Sequence, residues 1–151
     1  MTSCAITAVS GSLSQSATFE VTGANLTSTP LPAVIAVGAA GQIDFSLDEA
    51  LRNGYGILES ASTLNLAAAS LDNQFGSLRA LGSSGTTLIS GGLLDNRNGL
   101  IETANTTLQL NVSGLQNGGG IIRQVGTGTF GLSAANVMAA GGSLSSNGLL
   151  G

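Results

Sequence analysis

Asp72 and Asp95 stand in the same Leu-Asp-Asn context. Two carboxylates that share a structural position are the raw material of general acid–base chemistry. Were successive strands to bring them together, they would lie about 5 Å apart, the spacing of a retaining glycosidase pair. Asp48-Glu49, with Arg52 close behind, has the composition of a small cation site. Gly118-Gly119-Gly120 has the glycine density of a phosphate loop, but no Lys-Ser/Thr follows it. Thr63, Thr87, Thr107 and Thr129 recur as a column of hydroxyls, as an ice-binding surface requires. Their companions Ala61, Gly85 and Asn105 break the Thr-x-Thr pair that Thr127-Gly128-Thr129 completes. Asn25, Asn105 and Asn111 open Asn-x-Ser/Thr triplets, a pattern short enough to arise by chance.

What surrounds these residues argues against catalysis. The chain has no histidine, which removes the usual general base and the usual zinc ligand. Its four bases are all arginine: Arg52, Arg79, Arg97 and Arg123. One tyrosine and no tryptophan make a poor stacking surface for sugars. Asp72 and Asp95 therefore read as solvated corner residues, and no enzyme, cofactor or metal is expected. A net charge of −4 excludes nucleic acid as a partner, because scattered arginines cannot neutralise a phosphate backbone. Disorder is excluded by a mean hydropathy of +0.37. Cys4 is alone and cannot close an internal disulfide. The longest apolar run, Leu31 to Ala40 with Pro32 inside it, is too short to span a bilayer, so no membrane insertion is expected. The N-terminus lacks a basic stretch followed by an apolar one, so no secretion signal is expected within this chain.

The elements that would position these residues emerge from a repeat. Units begin at Leu51, Leu71, Leu94, Leu115 and Val137, dividing the chain into 51–70, 71–93, 94–114, 115–136 and a partial 137–151. Two residues after each opener comes Asn53, Asn73, Asn96 and Asn117, with Ala139 in the last unit. Then come the glycines Gly56, Gly76, Gly99, Gly120 and Gly142, each followed two residues later by Leu58, Leu78, Ile101, Ile122 or Leu144. The units close on alternating apolar positions such as Leu64/Leu66, Leu108/Leu110 and Phe130/Leu132, the period of a strand with one buried face. Residues 1–50 show the pattern faintly, in Gly11-Ser12-Leu13, Thr18-Phe19-Glu20-Val21 and Leu26, with Gly41-Gln42-Ile43 as another start and Pro30 and Pro32 interrupting. They read as two divergent N-terminal turns of one continuous domain. Phe45 to Arg52 and Ala134 to Ala140 are the stretches compatible with helical turns.

A unit of this length buries too little to order itself, so units must stack. The fold expected is all-β, a parallel β-helix (β-solenoid) with one unit per coil and coils about 4.8 Å apart. Seven coils would make a rod about 34 Å long. Asn suits tight or left-handed corners and can hydrogen-bond along a stack. Glycine suits a corner where a Cβ would clash. The residue after each face-opening apolar position is Glu59, Arg79, Glu102 and Arg123, so acid and base alternate rung by rung, which removes like-charge repulsion between coils. Ile43-Asp44 directly beneath 56–66 would set an acid against Glu59, which argues against that placement.

The run LDNRNGLIETANTTLQL, with LDNQFGSLRA before it and LQNGGGIIRQ after it, resembles the filamentous haemagglutinin repeat of two-partner-secreted exoproteins. The L-D-N-x-x-G-x-Φ element is complete at Leu71 and Leu94. At Leu51 and Leu115, Arg52 and Gln116 replace the Asp. The resemblance covers about two-thirds of the chain. It implies a right-handed β-helical shaft from an adhesin or contact-dependent growth inhibition exoprotein, secreted or on the outer surface of a Gram-negative bacterium. The family's secretion domain and toxin domain are not recognisable here. On this reading the chain is a structural shaft segment that self-associates end to end and serves a host-cell or bacterial surface receptor. The alternatives are a polysaccharide-acting β-helical enzyme and an ice-binding surface protein.

Overall fold

The computed structural model describes the backbone at residues 18–23, 26–27, 34–37 and 42–150, and the side chains over 42–149. Cys4, the Gly11-Ser12-Leu13 start, Asn25, Pro30, Pro32 and Gly41 lie outside the described residues. The described chain is a β-solenoid. It is built from strands that pair only in parallel, each with strands one turn away along the chain.

Each turn passes three faces. A short face carries Leu26–Thr27, Ala50–Arg52, Ser70–Asp72 and Asn136–Met138, together with the second halves of Thr86–Asp95 and Thr107–Gln116. The charge face follows, with Val34–Val37, Ile57–Ser60, Ser77–Ala80, Leu100–Thr103, Ile121–Gln124 and Ser143–Ser146. The threonine face completes the turn, with Thr18–Gly23, Gln42–Leu47, Leu64–Ala68, Thr129–Ser133 and the first halves of the two long strands. Leu26, Leu51, Leu71, Leu94, Leu115 and Val137 fall in one register column. Six positions in that column make five turns.

Alternation explains the core. Inward positions on the charge face hold Leu58, Leu78, Ile101 and Ile122, each at most 2% exposed. On the threonine face Phe45, Leu66, Ile89 and Leu110 stack behind one another, all fully buried. Two faces are thus lined on the inside by like residues from successive coils. Burial of such a side chain contributes about 1.5–3 kcal/mol.

The all-β expectation holds, while the placement of individual segments is corrected. The described residues contain no helix: Phe45 to Arg52 is divided between strands Gln42–Leu47 and Ala50–Arg52, and Ala134 to Ala140 contains strand Asn136–Met138. Gly41-Gln42-Ile43 does not start a unit, because Gln42–Leu47 lies on the threonine face, between Thr18–Gly23 and Leu64–Ala68. Asp44 is therefore remote from Glu59. It sits beneath Asn65, whose Nδ2 donates to its Oδ1 at 3.1 Å, while Ala36 takes the register position beneath Glu59.

Candidate functional site

Asn53, Asn73, Asn96 and Asn117 project into the corner between the short and charge faces and form a buried amide ladder. Asn53 Nδ2 donates to Asn73 Oδ1 at 2.8 Å, Asn73 Nδ2 to Asn96 Oδ1 at 2.7 Å, and Asn96 Nδ2 to Asn117 Oδ1 at 2.7 Å. Each amide also reaches main-chain carbonyls: Asn96 donates to Gly99 and Ile121, and Asn117 to Gly120 and Ser143. None of the four is more than 1% exposed. A buried amide without such partners would cost several kcal/mol, so the column is tied to its neighbours at every rung.

The turn after each Asn closes by a hydrogen bond from the glycine N–H: Gly56 to Asn53, Gly76 to Asn73, Gly99 to Asn96, Gly120 to Asn117, and Gly142 to Ala139. Glycine is required there by close approach. A Cβ on Gly99 would lie 2.2 Å from the Asn73 carbonyl oxygen and 2.6 Å from Asn96 Oδ1. The left-handed residue is neither the Asn nor this glycine but the one between them: Tyr55 (φ 60°), Phe75 (φ 56°), Asn98 (φ 55°), Gly119 and Gly141. The expectation that Asn53, Asn73, Asn96 and Asn117 take the left-handed corner is thus corrected. Their amides are needed inside, and the turn reverses two residues later. Tyr55 and Phe75 carry that strain at the surface, with rings stacked at 5.0 Å and 8°.

A second buried polar corner lies at the far end of the charge face, and sequence reasoning missed it. The inward column there is Ser60, Ala80, Thr103, Gln124 and Ser146. Thr87 points inward and is 1% exposed. Its Oγ1 lies 2.7 Å from Thr103 Oγ1 and donates to Asn105 Oδ1 at 2.6 Å. Asn105 Nδ2 spreads over the carbonyls of Ser62, Gly82 and Ser84. One coil on, Gln124 Nε2 donates to Thr106 and Thr129 carbonyls, and its Oε1 accepts from Ser146. The signal in the sequence was a small or polar residue two after each of Leu58, Leu78, Ile101, Ile122 and Leu144, an inward position by alternation.

This geometry corrects the threonine column. Thr86, not Thr87, is in register with Thr107, so the outward column runs Thr63, Thr86, Thr107 and Thr129. Two residues along, the next outward column is Asp44, Asn65, Leu88, Gln109 and Gly131, which repeats no hydroxyl. A groove of about 330 Å³ lies across this face, lined by Gln42, Asp44, Asn65, Thr63 and Thr86 among others.

The charged residues take three arrangements. Glu59, Arg79, Glu102 and Arg123 are in register on the outer side of the charge face. Arg79 pairs with Glu59 at 2.5 Å, and Arg123 pairs with Glu102. Arg79 and Glu102, although adjacent, form no ion pair, and Arg79 Nε is buried without a hydrogen-bond partner. Asp72 and Asp95 are also register partners, but each carboxylate is engaged in its own corner. Asp72 Oδ1 accepts the Gln74 N–H. Asp95 accepts the Arg97 N–H and grips the Arg97 guanidinium through Nε and Nη2, at 2.9 and 2.6 Å. That hydrogen bond, then the charge of Asp95, holds the Arg97 pKa above its ordinary value. Asp48 and Glu49 lie exposed in a bend. No group of three or more His, Cys, Asp or Glu converges to hold a metal among the described residues, and no helix there is long and apolar enough to cross a membrane.

The class these features define is a β-solenoid with internal side-chain ladders. No protein-family model matches the chain, and no curated protein or solved structure matches it significantly.

Proposed function

We propose that the chain is a structural shaft segment of a secreted or cell-surface filamentous exoprotein of the adhesin type. The observation that carries this reading is continuity. Three parallel strand columns and a buried amide ladder run from coil to coil, so that each coil serves as a template for the next. Such an object transmits force along its axis and holds whatever is joined to it at a distance. The resemblance of the 71–124 repeats to the filamentous haemagglutinin repeat supports the same role and a Gram-negative surface location.

The inward columns reach the last described coil at Val137 and Leu144, which are 49% and 37% exposed and stand ready for a further coil, from the same chain or another copy. End-to-end association is the expected form of assembly. The test is electron microscopy of the purified chain across a concentration series, with labelling of intact producing cells in parallel. Stiff particles that lengthen with concentration, and shorten in a Val137→Lys, Leu144→Lys variant, are expected together with surface labelling. Compact particles of constant size, or label seen only after permeabilisation, overturn the reading.

A further inference from the structure

A shaft needs only its interior, yet the outer side of the charge face is patterned as well. Its strands alternate in and out, so Glu59, Arg79, Glu102 and Arg123 form one outward column. The hydrogen bonds Leu81 N to Ser60 O, Ala104 N to Ala80 O and Val125 N to Thr103 O carry the register on to a second outward column: Ala61, Leu81, Ala104 and Val125. Leu81 and Val125 are 48% and 43% exposed, large apolar side chains beside a row of charges.

We propose that this face pairs with the same face of a second copy of the chain, the two rods lying antiparallel. Both columns lead to that geometry. The charges read acid, base, acid, base, and the reversed order is base, acid, base, acid. A two-fold axis along the strands, midway between the coils of Arg79 and Glu102, sets Glu59 against the partner's Arg123 and Arg79 against the partner's Glu102. Every contact then occurs twice, as an isologous interface requires. The second column alternates small and large, and the same rotation sets Ala61 against the partner's Val125 and Leu81 against the partner's Ala104. Within this column bulk faces space at each rung.

A parallel pairing in register fails on both counts, since it opposes like charges and places Leu81 on Leu81. A parallel pairing slipped by one coil restores opposite charges at the loss of a rung. The intramolecular geometry favours the antiparallel solution too. Arg79 and Glu102 are the neighbours the chain leaves unlinked, and Arg123 engages only Oε2 of Glu102, leaving Oε1 free. Four rungs about 4.8 Å apart make a patch smaller than the ~800 Å² per partner of a standard interface, so the pair is weak and weakens with salt. Unlike end-to-end growth, it closes at two copies.

The decisive chain is the fully inverted ladder: Glu59→Arg, Arg79→Glu, Glu102→Arg and Arg123→Glu together. Alternation within each rod is kept, and so is self-complementarity, but against the wild type every rung now opposes like charges. With Val137→Lys and Leu144→Lys added to both chains to block axial growth, sedimentation equilibrium is expected to show dimers of each chain alone, with mixed dimers at least about tenfold weaker. Position is tested without altering charge, in a Cys4→Ser background. Ala61→Cys chains mixed with Val125→Cys chains should cross-link under mild oxidation, and neither should cross-link alone. The end-blocked chain with its native ladder remaining monomeric up to about 1 mM overturns the proposal. So do mixed dimers as strong as the pure ones, or cross-links between two Ala61→Cys chains. Should the inverted chain not fold, the cysteine pair decides by itself.

Discussion

The two polar corners of the solenoid solve the same problem in opposite ways. At the Asn corner each coil repeats one four-residue turn, from Asn53 to Gly56 and again up to Asn117 to Gly120, and one amide chain links them. At the other corner the path differs in every coil, from Ser60 to Leu64, Ala80 to Thr87, Thr103 to Leu108 and Gln124 to Phe130, and so does the side chain that caps the carbonyls. Asn105 serves one coil and Gln124 the next. A repeating rod thus needs one corner that fixes register and can leave the other free to absorb changes in length. The extra residues around Gly82 to Gly85 are taken up at the permissive corner.

Substitutions can break or sharpen this contrast. The largest effect is expected from Asn96→Leu, which severs two rungs at once, leaves Asn117 Oδ1 without a donor and takes one donor each from the Gly99 and Ile121 carbonyls. A loss of about 3–5 kcal/mol should appear in urea unfolding. Gly99→Ala follows, at about 3 kcal/mol, because the new Cβ meets main chain that cannot yield without moving the coil below. Thr87→Val keeps the shape at the permissive corner and removes one hydroxyl. Thr103 Oγ1 retains the Asn105 N–H, so about 1–2 kcal/mol is expected from the same measurement. Were Thr87→Val to cost as much as Asn96→Leu, the distinction between the corners would collapse. Smallest is Phe75→Asn. The stack on Tyr55 contributes about 0.5–1.5 kcal/mol, and relief of a left-handed aromatic returns about as much, so the melting curve should shift by less than about 0.5 kcal/mol.

The uniform corner was the legible one. Asn53 to Gly142 stand at constant offsets, and the same offsets place Leu58 to Leu144 on an inward column. Glu59, Arg79, Glu102 and Arg123 were legible for that reason too. The permissive corner was not, because the choice between Thr86 and Thr87 for the inward position is made by Thr103 and Asn105 of the next coil, and no single unit contains that information. Tyr55 and Phe75 gave no sign of their conformation, since aromatic residues are poor left-handed formers and the turn imposes the conformation on them. Gln42 to Leu47 was misassigned because a strand period does not say which of three faces a strand occupies.

The amide ladder also has a sense. Every Nδ2 donates toward the higher-numbered coil, from Asn53 through Asn73 and Asn96 to Asn117, so the amide dipoles add rather than cancel. The rod accordingly has a head and a tail. Among the described residues the buried Asn53 Oδ1, at the low-numbered end of the ladder, is an acceptor with no donor. Axial growth of the kind proposed would be vectorial, since a copy arriving reversed would run its strands against the parallel sheets. A filament of such segments would carry direction along its length, as an arrow does, in the interior of the structure rather than on its surface.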